Sequence, residues 1–286
     1  MPSQPPAAPE APGLDDPDDV ADTIQAFLGR HVGAANANGV VVNLSGGIDS
    51  TTAATLAVEA LGNAAVEGLV LPASATPDGD VDDAIRVAER LAIDYRVIDV
   101  QPIVDAFVGQ LGSDHASGSA VETDPSDPES DDDRRAAIGN VAARARMTVA
   151  YFEANRADRL VVGTGNRSEL LLGYFTKYGD GGVDLLPIGD LYKTQVRDLA
   201  TELGVAESIV RKEPTAGLWE GQSDADEIGA PYETVDAILR LAVDRGVGSA
   251  AIADVVDRPM DFVDELLARV DATAHKRRQP PTPGLR

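Results

Sequence analysis

The order of apolar and polar positions divides the chain into short β-branched runs separated by helical stripes. Val20, Ile24, Phe27 and Leu28 recur at helical spacing and predict a helix over residues 18–31. Residues 39–44, Gly-Val-Val-Val-Asn-Leu, are apolar without alternation, as in a strand buried on both faces. Residues 50–61, rich in Ala and Leu, predict a helix closed by Gly62. The same succession repeats as strand 65–71, helix 81–91, strand 95–100 and helix 103–111. A long helix over 134–155 leads into strand 159–163, and helix 194–203 is stopped by Gly204. Residues 232–243, 249–256 and 260–274 predict further helices. Repeated strand–helix alternation implies parallel strands joined by right-handed crossovers, with helices on both faces. The predicted fold is therefore α/β: a Rossmann-like open parallel sheet flanked by helices, with a helical C-terminal portion.

Three stretches carry no apolar period. Residues 1–17 are rich in Pro, Ala and Asp and predict a disordered leader. Residues 113–133 are dominated by Ser, Pro, Asp and Glu and predict an acidic loop inserted into one domain spanning 18–281. Residues 282–286 are a tail. The leader lacks the basic start and apolar stretch of a secretory signal, and no apolar run approaches the roughly 20 residues of a membrane span. A cytoplasmic protein with no membrane contact is expected.

Charge changes this picture more than composition does. With 24 Lys and Arg against 48 Asp and Glu, the net charge is −24, spread along the whole chain. Such an excess repels phosphate backbones and argues against nucleic-acid binding. It fits a halophilic cytoplasm, where molar salt screens surface self-repulsion to about 3 Å. There is no cysteine, which excludes disulfides, thiolate metal sites and a cysteine nucleophile. His31, His115 and His275 are too few for a histidine-built metal centre.

The candidate chemistry begins at Ser45-Gly-Gly-Ile-Asp-Ser50, between a buried strand and a helix N-terminus. Open backbone N–H groups and the positive end of the helix dipole converge there and favour an anion. Gly46 and Gly47 allow close approach of a phosphate, and the hydroxyls of Ser45, Ser50 and Thr51 are candidate donors. Asp49 is out of place beside phosphate unless a divalent cation such as Mg²⁺ bridges the two. Neither the Gly-x-x-x-x-Gly-Lys-Ser/Thr loop nor the Gly-x-Gly-x-x-Gly fingerprint is present.

This loop resembles the PP-loop of the N-type ATP pyrophosphatases, a group that includes GMP synthetases, asparagine synthetases and tRNA-modifying enzymes. The second half of the chain narrows the likeness. The stretches 139–147 (GNVAARARM), 162–169 (VGTGNRSE), 173–184 (GYFTKYGDGGVD), 191–194 (LYKT), 214–219 (PTAGLW) and 275–278 (HKRR) resemble NAD synthetases, in that family's order. The resemblance implies ammonia-dependent amidation of deamido-NAD through an acyl-adenylate, the final step of NAD biosynthesis. The alternative is another amidating or thiolating enzyme of the PP-loop group.

Carried over by position, the resemblance implies ATP contacts from Asn43, Leu44, Ser45, Gly46, Gly47, Ile48, Asp49, Ser50, Thr164, Lys193 and Thr215. It implies Mg²⁺ on Asp49 and Glu169, with Asp49 and Lys193 as catalytic groups. Arg144, Lys177, Asp184, His275 and Lys276 would bind deamido-NAD. Arg144 and Arg146, two residues apart on a helix, cannot face the same way, so one of them should touch ligand, and the family pattern selects Arg144. Trp219 is expected in the core. Segments 176–182 and 220–226 are expected to close over the adenylate. The resemblance further implies a homodimer with the substrate site at the subunit interface. With no cysteine for a glutaminase, free ammonia is the expected nitrogen source.

Overall fold

A computed structural model describes residues 13–114, 131–215, 217 and 221–284. Four short parallel strands, β1 (Val40–Asn43), β2 (Val66–Val70), β3 (Asp94–Val97) and β4 (Leu160–Val162), form one sheet in the order β3-β2-β1-β4. The chain starts at the centre with β1, works outward to β3, then crosses back to place β4 on the other side of β1. Strand order therefore reverses between β1 and β4. In open α/β sheets, ligands bind in the crevice that such a reversal opens at the carboxyl ends of the strands.

Helices α1 (Pro17–Ala35), α2 (Ile48–Leu61) and α3 (Asp78–Arg90) precede α4 (Gln101–Asp114), α5 (Asp131–Ala157), α6 (Arg167–Leu172) and α7 (Lys193–Glu202). The short α8 (Glu207–Val210) and α9 (Asp224–Ile228) lead into α10 (Tyr232–Leu239), α11 (Ser249–Val256) and α12 (Met260–Ala272). Alternation within β1 explains the sandwich. Val40 and Val42 point into the core shared with α1, α2, α3 and α7, while Val41 joins Leu69 and Val161 in the core under α4 and α5. All three valines are fully buried, as an apolar run without alternation requires. A third core gathers Leu172, Tyr192 and the inner faces of α10, α11 and α12, which is the expected helical C-terminal portion.

Local signals account for most boundaries. The Asp16 side chain caps α1 by accepting from the Asp19 N–H at 3.2 Å, so the helix starts at Pro17. The acidic insertion is shorter than the expected 113–133, because α4 continues through Asp114 and α5 already begins at Asp131. Its remaining residues, the leader up to residue 12, His115 and Trp219 lie outside the described residues. Strand β3 ends at Val97 rather than residue 100, although Ile98 and Val100 still donate to Val70 and Pro72. The expected helix over 232–243 ends its α-helical part at Leu239 and continues as a π-turn over Arg240–Asp244. Three short helices, α6, α8 and α9, arise where no apolar stripe predicted one. Among the described residues no helix is long and apolar enough to cross a membrane.

Candidate active site

The loop after β1 owes its shape to one glycine. Gly46 has φ +74°, and a Cβ there would lie 2.3 Å from the Asp80 carbonyl oxygen, so no larger residue fits without moving the backbone. The Ser45 N–H donates to Ser50 Oγ at 3.2 Å, and the Gly47 N–H donates to Ser45 Oγ at 3.3 Å. Ser50 and Thr51 give their hydroxyls back to the Gly47 carbonyl at 3.1 and 2.8 Å. The hydroxyls of Ser50 and Thr51 and the Oγ of Ser45 are thus engaged within the loop and hold it closed on itself. The loop's offer to an anion is the uncapped start of α2, where no side chain covers the first-turn amides.

Asp49, on the first turn of α2, meets two groups from distant elements. Its Oδ1 accepts from Asn166 Nδ2 at 3.0 Å, and its Oδ2 pairs with Lys193 Nζ. The same ammonium lies 3.4 Å from Glu169 Oε1. Asn166 and Glu169 form a capping box at the start of α6: Asn166 Oδ1 accepts from the Glu169 N–H at 3.0 Å, and Glu169 Oε2 accepts from the Asn166 N–H at 3.4 Å. Asn166 was missed in the sequence although Asn-x-x-Glu before Leu170-Leu-Leu172 is a readable capping signature. Lys193 opens α7 and is 3% exposed, not a solvated first-turn lysine.

Asp236 supports this cluster from below. It accepts from Ser168 Oγ at 2.5 Å and from the Thr194 N–H and hydroxyl, both at 2.9 Å. Ser168 Oγ in turn accepts from the Lys193 N–H at 2.9 Å. One buried carboxylate thereby fixes the neighbours of both Glu169 and Lys193. Burial pushes Asp236 up to about 6 against those hydrogen bonds. Burial also works to lower the Lys193 ammonium, but Asp49 and Glu169 outweigh it and hold the ion protonated. Glu169 is pushed up, chiefly by burial, with Lys193 opposing.

These groups face a cavity of about 490 Å³ at the carboxyl ends of β1 and β4. Asn43, Leu44, Ser45, Gly47, Ile48, Asp49, Thr164, Glu169, Lys193, Thr215 and Lys276 all line it, whereas Gly46 and Ser50 stand behind the loop surface. Asn43 Oδ1 is buried there without a partner. The remaining expected residues do not line this cavity. Arg144 donates to the Lys177 carbonyl at 3.3 Å, and Lys177 Nζ to the carbonyl of His275 at 2.8 Å. Asp184 accepts from the Val161 N–H at 2.8 Å and from the Tyr151 hydroxyl at 3.0 Å, tying down β4. Of the arginine pair it is Arg146 that lines the cavity, held by the Leu71 carbonyl at 2.8 Å. Lys212, paired with Asp80 and Asp83 at 2.6 and 2.8 Å, and buried Asp224 also line it without having been singled out.

A parallel sheet with a reversed strand order, a glycine-tight loop leading into an uncapped helix, and a lysine clamped by two carboxylates define a Rossmann-like nucleotide-binding α/β protein. The chain belongs to the NAD synthase family, whose profile matches residues 20–280. It is 45% identical over 260 residues to the NH(3)-dependent NAD(+) synthetase of Methanosarcina mazei, covering 91% of this chain and 95% of that protein. It is 46% identical over 262 residues to the protein of the same name from Halobacterium salinarum, covering 92% and 91%. Among solved structures, NMN synthetase from Francisella tularensis superposes with a TM-score of 0.76 at 33% identity, covering 95% of this chain and 100% of that one. The NH3-dependent NAD synthetase from Campylobacter jejuni, in complex with the nitrate ion, gives 0.73 at 28%, covering 94% and 99%.

Proposed function

We propose that this protein is an ammonia-dependent NAD synthetase, amidating the nicotinate carboxylate of deamido-NAD with ATP cleavage to AMP and pyrophosphate. The observation that carries this reading is the buried Lys193 ammonium, fixed between Asp49 and Glu169 beside the open start of α2. In the first step a carboxylate oxygen bonds to the α-phosphorus while the α–β bridging P–O bond breaks and pyrophosphate leaves. In the second, the ammonia nitrogen bonds to the acyl carbon, the C–O bond to AMP breaks, and a proton is released. The first step brings two anions together, so it depends on neutralised charge and fixed geometry rather than on a covalent enzyme nucleophile. The α2 amides hold phosphate, Lys193 balances charge on the departing pyrophosphate, and Thr164 and Thr215, which line the same cavity, contact ATP.

The donor set fits Mg²⁺. Asp49 and Glu169 offer hard carboxylate oxygens on either side of one ammonium, and this ion commonly takes one or two carboxylates with phosphate oxygens and water. Among the described residues no cluster of three acidic or histidine side chains would hold a metal by itself, which is consistent with a metal arriving with the nucleotide. Bound there, it would add positive charge to the phosphates.

Arg144, Lys177, His275 and Lys276, together with Asp184, are proposed to receive deamido-NAD once a second subunit completes the site. Exposed Ile103, Phe107 and Leu111 recur every four residues along α4, and this stripe supports a homodimer. The acidic surface supports a salt-rich cytoplasm as the setting. A second reading, amidation of a nicotinate mononucleotide, is favoured by the likeness to NMN synthetase.

The test is to supply ATP, Mg²⁺ and ammonium with either deamido-NAD or the mononucleotide, from low to molar salt. Equal amounts of the amide, AMP and pyrophosphate from deamido-NAD are expected. Formation of ADP and phosphate would refute adenylation, and preference for the mononucleotide would select the second reading.

A further inference from the structure

Among the carboxylates that line the cavity and that the adenylation step leaves unused, Asp224 is the one with an unpartnered oxygen. Asp224, the first residue of α9, is 2% exposed, lines the cavity, and has its Oδ1 buried without a hydrogen-bond partner. Its Oδ2 accepts from the Tyr232 hydroxyl at 3.0 Å, and its N–H donates to the Pro214 carbonyl at 3.1 Å, so the side chain is held in place. Lys193 Nζ stands 5.5 Å from the centre of the Tyr232 ring on the same wall. Tyr174, the other phenol within reach of Asp224, gives its proton to Glu227 at 2.7 Å. Exposed Glu227 also lines the cavity, placing a second carboxylate nearer to solvent.

An orphaned carboxylate oxygen is costly to bury unless a donor fills the position. The missing donor is cationic on grounds of charge. Asp49 and Glu169 already share the one Lys193 ammonium, so Asp224 adds negative charge with no ion of its own. A phosphate would be repelled there. A divalent metal would want more oxygen charge than one carboxylate and two phenols provide. A small monovalent ion with several N–H donors fits one carboxylate oxygen, and flanking aromatic rings favour such an ion further.

We propose that Asp224 is the receiving site for ammonium, binding the nitrogen donor as a cation beside the adenylation centre, with Glu227 guiding the ion from solvent. The inference rests on the amidating function proposed above. Ammonium, not ammonia, is the abundant form at neutral pH, and neutral ammonia would gain little from a carboxylate. One proton must pass from the ion to solvent before the nitrogen lone pair attacks the acyl carbon and AMP leaves. Potassium, similar in size and charge, should compete for the position.

The test compares wild type with Asp224→Asn. Pyrophosphate–ATP exchange with deamido-NAD, run without ammonium, reads adenylation alone; its absence in wild type would refute the enzymatic function rather than the ammonium site. In the variant, exchange should persist while the KM for ammonium rises about ten- to a hundredfold, the loss of a charged hydrogen bond. Hydroxylamine, uncharged at neutral pH, should be used as the nucleophile equally well by both proteins. Potassium should inhibit wild type competitively against ammonium and lose that effect in the variant. Tyr232→Phe, which keeps the carboxylate but frees its Oδ2, should show the same ammonium-selective rise to a smaller extent. A KM for ammonium within twofold of wild type in Asp224→Asn, or equal losses with ammonium and hydroxylamine, would overturn the proposal.

Discussion

Two groups of residues that the sequence assigned to ligands are built very differently. Around Lys193 every side chain is held by another: Asp49 by Asn166, Glu169 by the α6 capping box, and Lys193 by both carboxylates. Around Lys177 the cations reach mainly for main-chain carbonyls: Arg144 for that of Lys177, Lys177 for that of His275, and Lys276 for those of Gly173 and Phe175 at 2.7 and 3.0 Å. The first group is preorganised inside one chain. The second group leaves Arg144 exposed and Lys276 part-buried at the cavity, and a ligand or a second subunit can exchange its carbonyl contacts for ion pairs. A reaction that depends on charge neutralisation gains most from the rigid half, because dipoles and ions already in place need not reorganise.

The largest effects should come from breaking the rigid half. Asp49→Ala and Lys193→Met are each expected to reduce kcat by at least about a hundred- to a thousandfold. Lys193→Met should also lower stability by about 3–5 kcal/mol, since it leaves two carboxylates facing each other. Kinetics together with urea unfolding separate the two consequences, and near-normal turnover in Asp49→Ala would remove that residue from the metal assignment.

The arginine pair sharpens the contrast directly. Arg146→Ala should raise the KM for ATP by about tenfold or more, leaving that for deamido-NAD little changed, and Arg144→Ala should do the reverse. Steady-state titration of each substrate reads this, and identical profiles for the two variants would erase the distinction between the groups.

A smaller effect tests whether the second half depends on assembly. If the proposed dimer forms through the α4 stripe, Phe107→Asp should yield a monomer in sedimentation, leave pyrophosphate–ATP exchange kinetics for ATP unchanged, and raise the KM for deamido-NAD severalfold. Loss of both substrates together would place the two halves under the same control.

The last effect concerns stability alone. Asp236 is pushed up to about 6 by burial, so between about pH 4 and pH 6 the folded chain keeps a proton that the unfolded chain has released. Stability should therefore fall as pH rises through that window, by on the order of 2 kcal/mol, and Asp236→Asn should abolish this slope. Urea midpoints measured from pH 4 to 7 check it.

Much of the architecture was legible because its causes are local. Unbroken β-branched runs, the 3.6 period and glycines that close helices act within a few residues, and they located the four strands and most of the helices. Short helices such as α6 escaped notice because six residues hold too few turns for a stripe to register, even though the capping box beside them was readable. Arg146 was passed over because facing along a helix says which residues differ in direction, not which direction leads to a cavity.

What the sequence alone determined is the set of parts: the parallel α/β class, the loop at residues 45–50, and the presence of Asp49, Glu169 and Lys193. Only the tertiary structure decided how they meet. Lys193 pairs with a carboxylate 144 positions away, and Asp236 reaches Ser168 and Thr194 across 68 and 42. Contacts at such separations follow from strand order and core packing, which no local period encodes. The same distance hid Asp224, whose open oxygen becomes visible only once α9 is folded against the wall that holds Lys193 and Tyr232.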